Sequence, residues 1–313
     1  MDLTTRRFLD ALAAQPGPQL HELSPVEARA ALRAASAGNF EAPPVELREV
    51  TVLLESRAPV PLTLVRPAGR NGPLPCVIYV HGGGWVLGDY EVFRRCVVEL
   101  AHGADAMVAF VNYSLAPEAR YPVPIEQCYA AVRWLADTGR DVDIDPSKLA
   151  IVGESAGGAI AAAVVGLAGR RGGPRISAQV LHCPVTDLSR QSASMREFAE
   201  GYFISERMMR WCREHYQPDV TDPLASPLLT PSEQLRSFPP TLVITAECDP
   251  VRDEGEAYAR KLMEAGAAVT ATRYLGTIHA FMSLDPLKDT PMARAAALQT
   301  YGALREAFGR PSS

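Results

Sequence analysis

The chain has 313 residues, 47% of them hydrophobic and 21% charged, with a net charge of −5. A chain of this size can bury a core that needs no metal or disulfide staple. Its mildly acidic balance argues against a general nucleic-acid binder, which carries a basic face.

Met1–Arg7 is not followed by an apolar run long enough for a leader, and no segment approaches the length of a membrane span. The expectation is a soluble, cytoplasmic protein. Ser24-Pro25-Val26-Glu27 has the form of a capping box with proline at the first helical position. The helix it opens carries Val26, Ala30 and Ala34 on one face, with Leu23 just outside, and Gly38-Asn39 would end it. Strand signals begin near residue 45, with partial alternation over 46–52 and a second segment at 61–65. Continuous apolar runs follow at 76–80, 107–111, 149–152, 178–181 and 241–244. Strands buried on both faces read this way and belong to parallel sheets covered by helices. Helical stretches at 91–103, 124–138, 156–170 and 253–265 alternate with them, which predicts a mostly parallel, doubly wound α/β sheet. Residues 189–220 break the alternation, and Ser205 is placed to cap a helix through Met208, Trp211, Cys212 and Tyr216. With residues 1–44 this insertion is expected to form a small helical cap over the carboxyl ends of the strands. The core is then split into residues 45–188 and 221–313.

Six cysteines occur at 76, 96, 128, 183, 212 and 248, without C-x-x-C spacing or a zinc-like grouping with histidine. They read as buried, reduced thiols, with Cys76 and Cys183 in strand-like runs. No metal and no cofactor is expected.

Two glycine-rich segments carry the chemistry. Gly153-Glu154-Ser155-Ala156-Gly157 has the form G-x-S-x-G, with a strand before it and a helix after it. Its glycines make room for a sharp turn that leaves the Ser155 hydroxyl exposed, beside a helix N-terminus that favours negative charge. His81-Gly82-Gly83-Gly84-Trp85 follows another strand, and its glycines let backbone N–H groups face a ligand. The same loop could cradle phosphate, but there is neither a Walker lysine nor a G-x-G-x-x-G pattern here. His81 reads as structural.

A serine hydroxyl needs a base, and the base needs an orienting carboxylate. On this type of elbow the chain order is serine, acid, histidine. Only His182, His215 and His279 follow Ser155. His182 lies within a strand and His215 in the expected cap, whereas His279 lies in a loop after the strand-like 269–275. Asp249, at the end of the run 241–248, is the favoured acid. Asp253 reads better as a cap or first-turn charge of the next helix, and Asp187 is the third candidate.

With those residues in place, the chain resembles the hormone-sensitive lipase family of bacterial carboxylesterases (family IV). The resemblance runs from about residue 45 almost to the end. It is carried by the loop at 81–85, by Tyr113-Ser114-Leu115-Ala116-Pro117-Glu118, by 153–158, by Asp249-Pro250-Val251-Arg252-Asp253 and by His279-Ala280-Phe281. It implies an α/β-hydrolase fold with an eight-stranded sheet and a helical cap. It also implies Ser155, Asp249 and His279 as the triad, and the N–H groups of Gly83, Gly84 and Ala156 as the oxyanion hole. The chain departs from the family at Glu154, where aspartate is usual, and at Ser114, where arginine is frequent, so no ion pair is expected at 114.

The chemistry implied is acyl transfer from short- to medium-chain esters, with the rate falling as pH drops through about 6 to 7, near an unperturbed histidine. Trp85, Leu87, Phe198, Tyr202, Phe203 and Ile278 are expected to line the pocket, with Phe198 or Phe203 limiting acyl length. An amidase or peptidase would use the same residues, and a non-catalytic receptor can occupy the same fold. By analogy with relatives, a homodimer through 269–275 and 291–308 is expected.

Overall fold

The continuous apolar runs become the interior strands of one eight-stranded sheet in the computed structural model, which describes residues 1–36, 40–54 and 57–310. The strands are β1 (Val45–Leu54), β2 (Arg57–Pro67), β3 (Leu74–Val80), β4 (Met107–Val111), β5 (Ile144–Glu154), β6 (Ala178–His182), β7 (Thr241–Cys248) and β8 (Val269–Ile278). Their spatial order is β1-β2-β4-β3-β5-β6-β7-β8. β1 and β2 pair antiparallel, as do β2 and β4, and every later pair is parallel. β3, β4 and β6 are buried at every position, whereas β8, at the edge, is buried only at its last two residues. Several strands outrun the apolar runs that announced them. Ladder pairing continues wherever a partner strand is present, whatever the side chain.

Among the described residues, ten α-helices accompany the sheet: α1 (Leu3–Ala13), α2 (Pro25–Ala35), α3 (Tyr90–Ala104), α4 (Val123–Thr138), α5 (Ala156–Arg170), α6 (Ala193–Glu197), α7 (Glu206–Tyr216), α8 (Ser232–Leu235), α9 (Arg252–Glu264) and α10 (Pro291–Ala307). Alternation along β3 divides the core between two layers. Cys76, Ile78 and Val80 face α4, α5 and α9, while Val77 and Tyr79 face α3 and α10.

The capping box at Ser24 forms as expected, with Glu27 N–H bonded to the Ser24 hydroxyl and Glu27 Oε2 accepting from Ser24 N–H. The buried face of α2 differs from the expected one. Ala28 is its buried residue, Leu32 is half-buried, and Val26, Ala30 and Ala34 are exposed. Arg29 decides the rotation, because its guanidinium reaches inward to Val86 O (2.8 Å) and Ala116 O (2.7 Å). The expected stop at Gly38-Asn39 lies outside the described residues. Cys183 lies one residue past β6, at a φ of 42°, rather than in a strand.

The N-terminal segment and the 189–220 segment meet. α7 packs on the short turn Leu20–Glu22, and Phe8 of α1 lies against Phe203 with ring centroids 6.0 Å apart. α1 also packs on β8 and on the turn Asp285–Leu287.

The start of α5 sits hard against the end of β3. A Cβ on Gly157 would come 2.1 Å from Val80 O and 2.4 Å from His81 O, both backbone atoms with nowhere to move. Gly157→Ala is therefore expected to cost about 1–3 kcal/mol through overpacking. The check is a lower urea midpoint at unchanged m-value; an unchanged midpoint would show that the two segments part easily.

Candidate active site

β5 ends at Glu154, and the chain turns at Ser155 straight into α5. Ser155 holds φ 56° and ψ −119°, an unfavourable backbone for a residue with a Cβ. Such strain persists only where the surroundings over-determine it. Here Ser155 N–H bonds to His182 O (2.9 Å), while Ser155 O accepts from Gly158 (2.9 Å) and Val185 (3.1 Å). The turn is pinned to the end of β6 on one side and to the first turn of α5 on the other.

His279 follows β8 and brings its imidazole to the serine. Its Nε2 lies 2.9 Å from Ser155 Oγ, and its Nδ1 lies 2.9 Å from Asp249 Oδ2. A carboxylate beside Nδ1 holds the proton there and leaves Nε2 as the acceptor for the serine hydroxyl. Burial disfavours the charged imidazole, but the charge and hydrogen bond of Asp249 outweigh it, so the pKa of His279 is raised above the ordinary value. Asp249 is fully buried, and its Oδ1 accepts from Val251 N–H (3.0 Å) in the turn before α9.

The rival residues are occupied elsewhere. Asp253 lies in the first turn of α9 and accepts from Ser194 N–H (2.8 Å). Asp187 pairs with Arg190 (2.7 Å). His182 is bonded to Thr300 (2.9 Å), and His215 to Trp211 O (2.8 Å). His81 is stacked on Tyr113 at 4.2 Å, and burial lowers its pKa to about 4. Its Nδ1 bonds to Gly82 O (2.7 Å), and Tyr113 OH donates to His81 O (2.9 Å), which agrees with a structural role.

The Gly82–Gly84 loop abuts the serine. A Cβ on Gly82 would lie 3.4 Å from Ser155 Cβ. Gly83 and Gly84 have φ of +106° and +62°, and the Gly83 carbonyl turns away to accept from Val86 and Leu87. Among the described residues, the N–H groups of Gly83, Gly84 and Ala156 have no hydrogen-bond acceptor. Ala156 is the first residue of α5, where N–H groups lack helical partners and the helix dipole favours an anion.

The expected pocket residues are placed unevenly. The Trp85 ring lies flat on Tyr216 (4.7 Å, 4°), while Leu87 and Ile278 are buried in the core, so packing accounts for all three. Phe198 is buried against Tyr202, edge to face at 4.9 Å, with Arg252 over its ring at 5.2 Å. Tyr202 and Phe203 remain half-buried. Ser114 is held by Gln127 rather than by an ion pair, with Gln127 Nε2 donating to Ser114 Oγ (2.9 Å).

Four residues near the site escaped sequence reasoning. Ser283 Oγ donates to Glu154 Oε1 (2.6 Å), tying the residue before the serine to the loop that carries His279. Glu254 is buried, and burial raises its pKa to about 8; its Oε1 accepts from Thr186 N–H (2.8 Å). Cys183, Asp249 and His279 place their ligand atoms within 4.8 Å of one another. Arg29 fastens the loop after Trp85. None of these carries a local signal.

A family model described as alpha/beta hydrolase fold matches residues 77–283. The chain is similar over nearly its whole length to a thermostable esterase of Pseudomonas putida ECU1011 of known structure. The two share 41% identity and a TM-score of 0.93, with 98% of this chain and 97% of that one covered. It is also similar to carboxylesterase NlhH of Mycobacterium tuberculosis, at 33% identity over 285 residues, 90% of this chain and 89% of the relative. Ethyl acetate hydrolase of Pseudomonas putida is 33% identical over 279 residues, 86% of each chain. The chain belongs to the alpha/beta hydrolase family, in its hormone-sensitive lipase-like branch.

Proposed function

We propose that the protein is a serine carboxylesterase acting on short- to medium-chain esters through an acyl-enzyme. The observation that carries this reading is the chain Ser155 Oγ–His279 Nε2, His279 Nδ1–Asp249 Oδ2, each link 2.9 Å, beside unpaired backbone N–H donors. The esterase names of its relatives support ester rather than amide substrates.

In the mechanism, His279 takes the proton of Ser155 as the hydroxyl attacks the ester carbonyl. Asp249 orients the imidazole and stabilises its charged form. The developing oxyanion is met by the N–H groups of Gly83, Gly84 and Ala156, with the N-terminal dipole of α5 behind them. His279 then protonates the departing alcohol. Water, deprotonated by the same imidazole, releases the acid. Of the expected pocket residues, Tyr202 and Phe203 keep the exposure that contact with an acyl chain needs.

The reading extends to location and assembly. Six free cysteines suit a reducing, cytoplasmic compartment, and no helix among the described residues is long and apolar enough to cross a membrane. Edge strand β8 and α10 expose Leu275 and Leu298, at 67% and 68%, which supports a homodimer through that edge.

Hydrolysis of p-nitrophenyl esters from acetate to palmitate tests the reading. Activity is expected on the short and medium chains and is expected to fall at least about 10³-fold in Ser155→Ala. Activity that survives in the variant places the nucleophile elsewhere, and faster turnover of a matched amide favours an amidase.

The histidine must be neutral to accept a proton, so activity is lost as pH falls through the pKa of His279. Because that pKa is raised, the acid limb of kcat/KM is expected above the ordinary value of 6.5, higher than an unperturbed histidine implies. Asp249→Asn should move the limb down and lower kcat by about 10⁴-fold. A wild-type limb at or below the ordinary value speaks against this pairing.

A further inference from the structure

The Gly82–Trp85 loop holds three consecutive residues at positive φ: Gly83 (+106°), Gly84 (+62°) and Trp85 (+64°). Glycine adopts such a backbone freely, but tryptophan does not, so something must hold Trp85 there. Ala116 N–H bonds to Trp85 O (2.9 Å) on the backbone side, and the side-chain contact comes from α7, more than a hundred residues away in sequence. Only two residues of α7 are buried, Cys212 and Tyr216. They stand four apart and so share one face of the helix. Both press on this loop. The Tyr216 ring stacks flat on Trp85 at 4.7 Å. A Cβ on Gly84 would come 2.2 Å from Cys212 Sγ and 2.9 Å from Cys212 Cβ, so the thiol fills the space a side chain at 84 would need.

The helix is itself anchored. Tyr121 N–H bonds to Tyr216 O (3.0 Å), and Tyr121 OH donates to Asp222 (2.6 Å) just beyond the helix. The loop therefore meets Ser155 on one side, through Gly82, and α7 on the other. Its Gly83 and Gly84 N–H groups, without an acceptor of their own, point wherever that contact holds them.

We propose that α7 clamps this loop, with Cys212 and Tyr216 as positioning residues that set the Gly83 and Gly84 N–H groups for the oxyanion. The proposal rests on the esterase reading of the site. It makes the helical segment at 206–216 part of transition-state stabilisation rather than only a cover over the substrate. A residue that acts this way changes the chemical step and leaves ground-state binding and the histidine alone.

The test compares wild type with Cys212→Leu, Tyr216→Leu, Cys212→Ser and Cys212→Ala on p-nitrophenyl butyrate. Circular dichroism and the thermal midpoint check the fold of each. A trifluoromethyl ketone, whose adduct with Ser155 carries an oxyanion, probes the N–H donors directly. Cys212→Leu and Tyr216→Leu are expected to lower kcat at least tenfold with KM within threefold. They should weaken the ketone at least tenfold and leave the acid limb of the pH profile in place. Cys212→Ser, nearly the same size, should keep at least a third of the wild-type kcat. A folded Cys212→Leu or Tyr216→Leu with kcat within threefold of wild type, or with a change confined to KM, overturns the proposal. If neither folds, Cys212→Ala decides: a loss of ketone affinity beyond threefold supports the clamp, and a smaller one overturns it. A wild type without Ser155-dependent activity overturns the esterase reading itself and the clamp with it, which separates the two failures.

Discussion

The structure turns on the close approach of the α5 N-terminus to the end of β3, with no side chain between them at Gly157. This contact brings the Ser155 turn and the Gly82–Gly84 loop together. Two loops that follow neighbouring parallel strands, β3 and β5, emerge at the same sheet edge because parallel strands all end on one side. Any side chain at 157 would separate the hydroxyl from the N–H groups. The geometry that favours attack and the geometry that favours an oxyanion are thus one packing contact.

Around that contact the backbone is strained where function asks for it. Ser155, Trp85, Cys183 and Ala280 have positive φ past the ends of β5, β3, β6 and β8, and Asp105, Asp143, Phe203 and Gln217 have it elsewhere. The sheet is fully buried at β3, β4 and β6. A rigid, cooperative core lets a few residues sit in unfavourable conformations without the fold relaxing around them.

Electrostatics follow the same division. Three carboxyl groups, Glu154, Asp249 and Glu254, are buried. Each is given hydrogen-bond donors: Ser283 for Glu154, Val251 N–H and His279 for Asp249, and Thr186 N–H for Glu254. Burial without such donors would be prohibitive. The donors come from three different loops, so each buried carboxylate also ties one loop to the next. The Glu154–Ser283 bond spans 129 residues of sequence and joins the turn before Ser155 to the loop of His279.

The sequence alone determined the features whose cause is local. Strands covered on both faces are continuously apolar where they are covered, so the central runs of β3 to β7 could be read directly, while the polar start of β5 at 145–148 was missed and β8, at the edge, showed only its first seven residues. Ser155 and the Gly82–Gly84 loop announced themselves because sharp turns need glycine at fixed neighbours. Asp249 and His279 were favoured by chain order together with their positions after strand-like runs. What only the tertiary structure decided were the contacts between distant segments. The Arg29 guanidinium meets Val86 O and Ala116 O, and α2 buries Ala28 rather than its expected face. Cys212 and Tyr216 were expected on a cap helix together with Met208 and Trp211, and nothing local said that they meet Gly84 and Trp85. Periodicity reports which face of an element is buried. It carries no information about which distant residue buries it, because that is set by the packing of the whole chain.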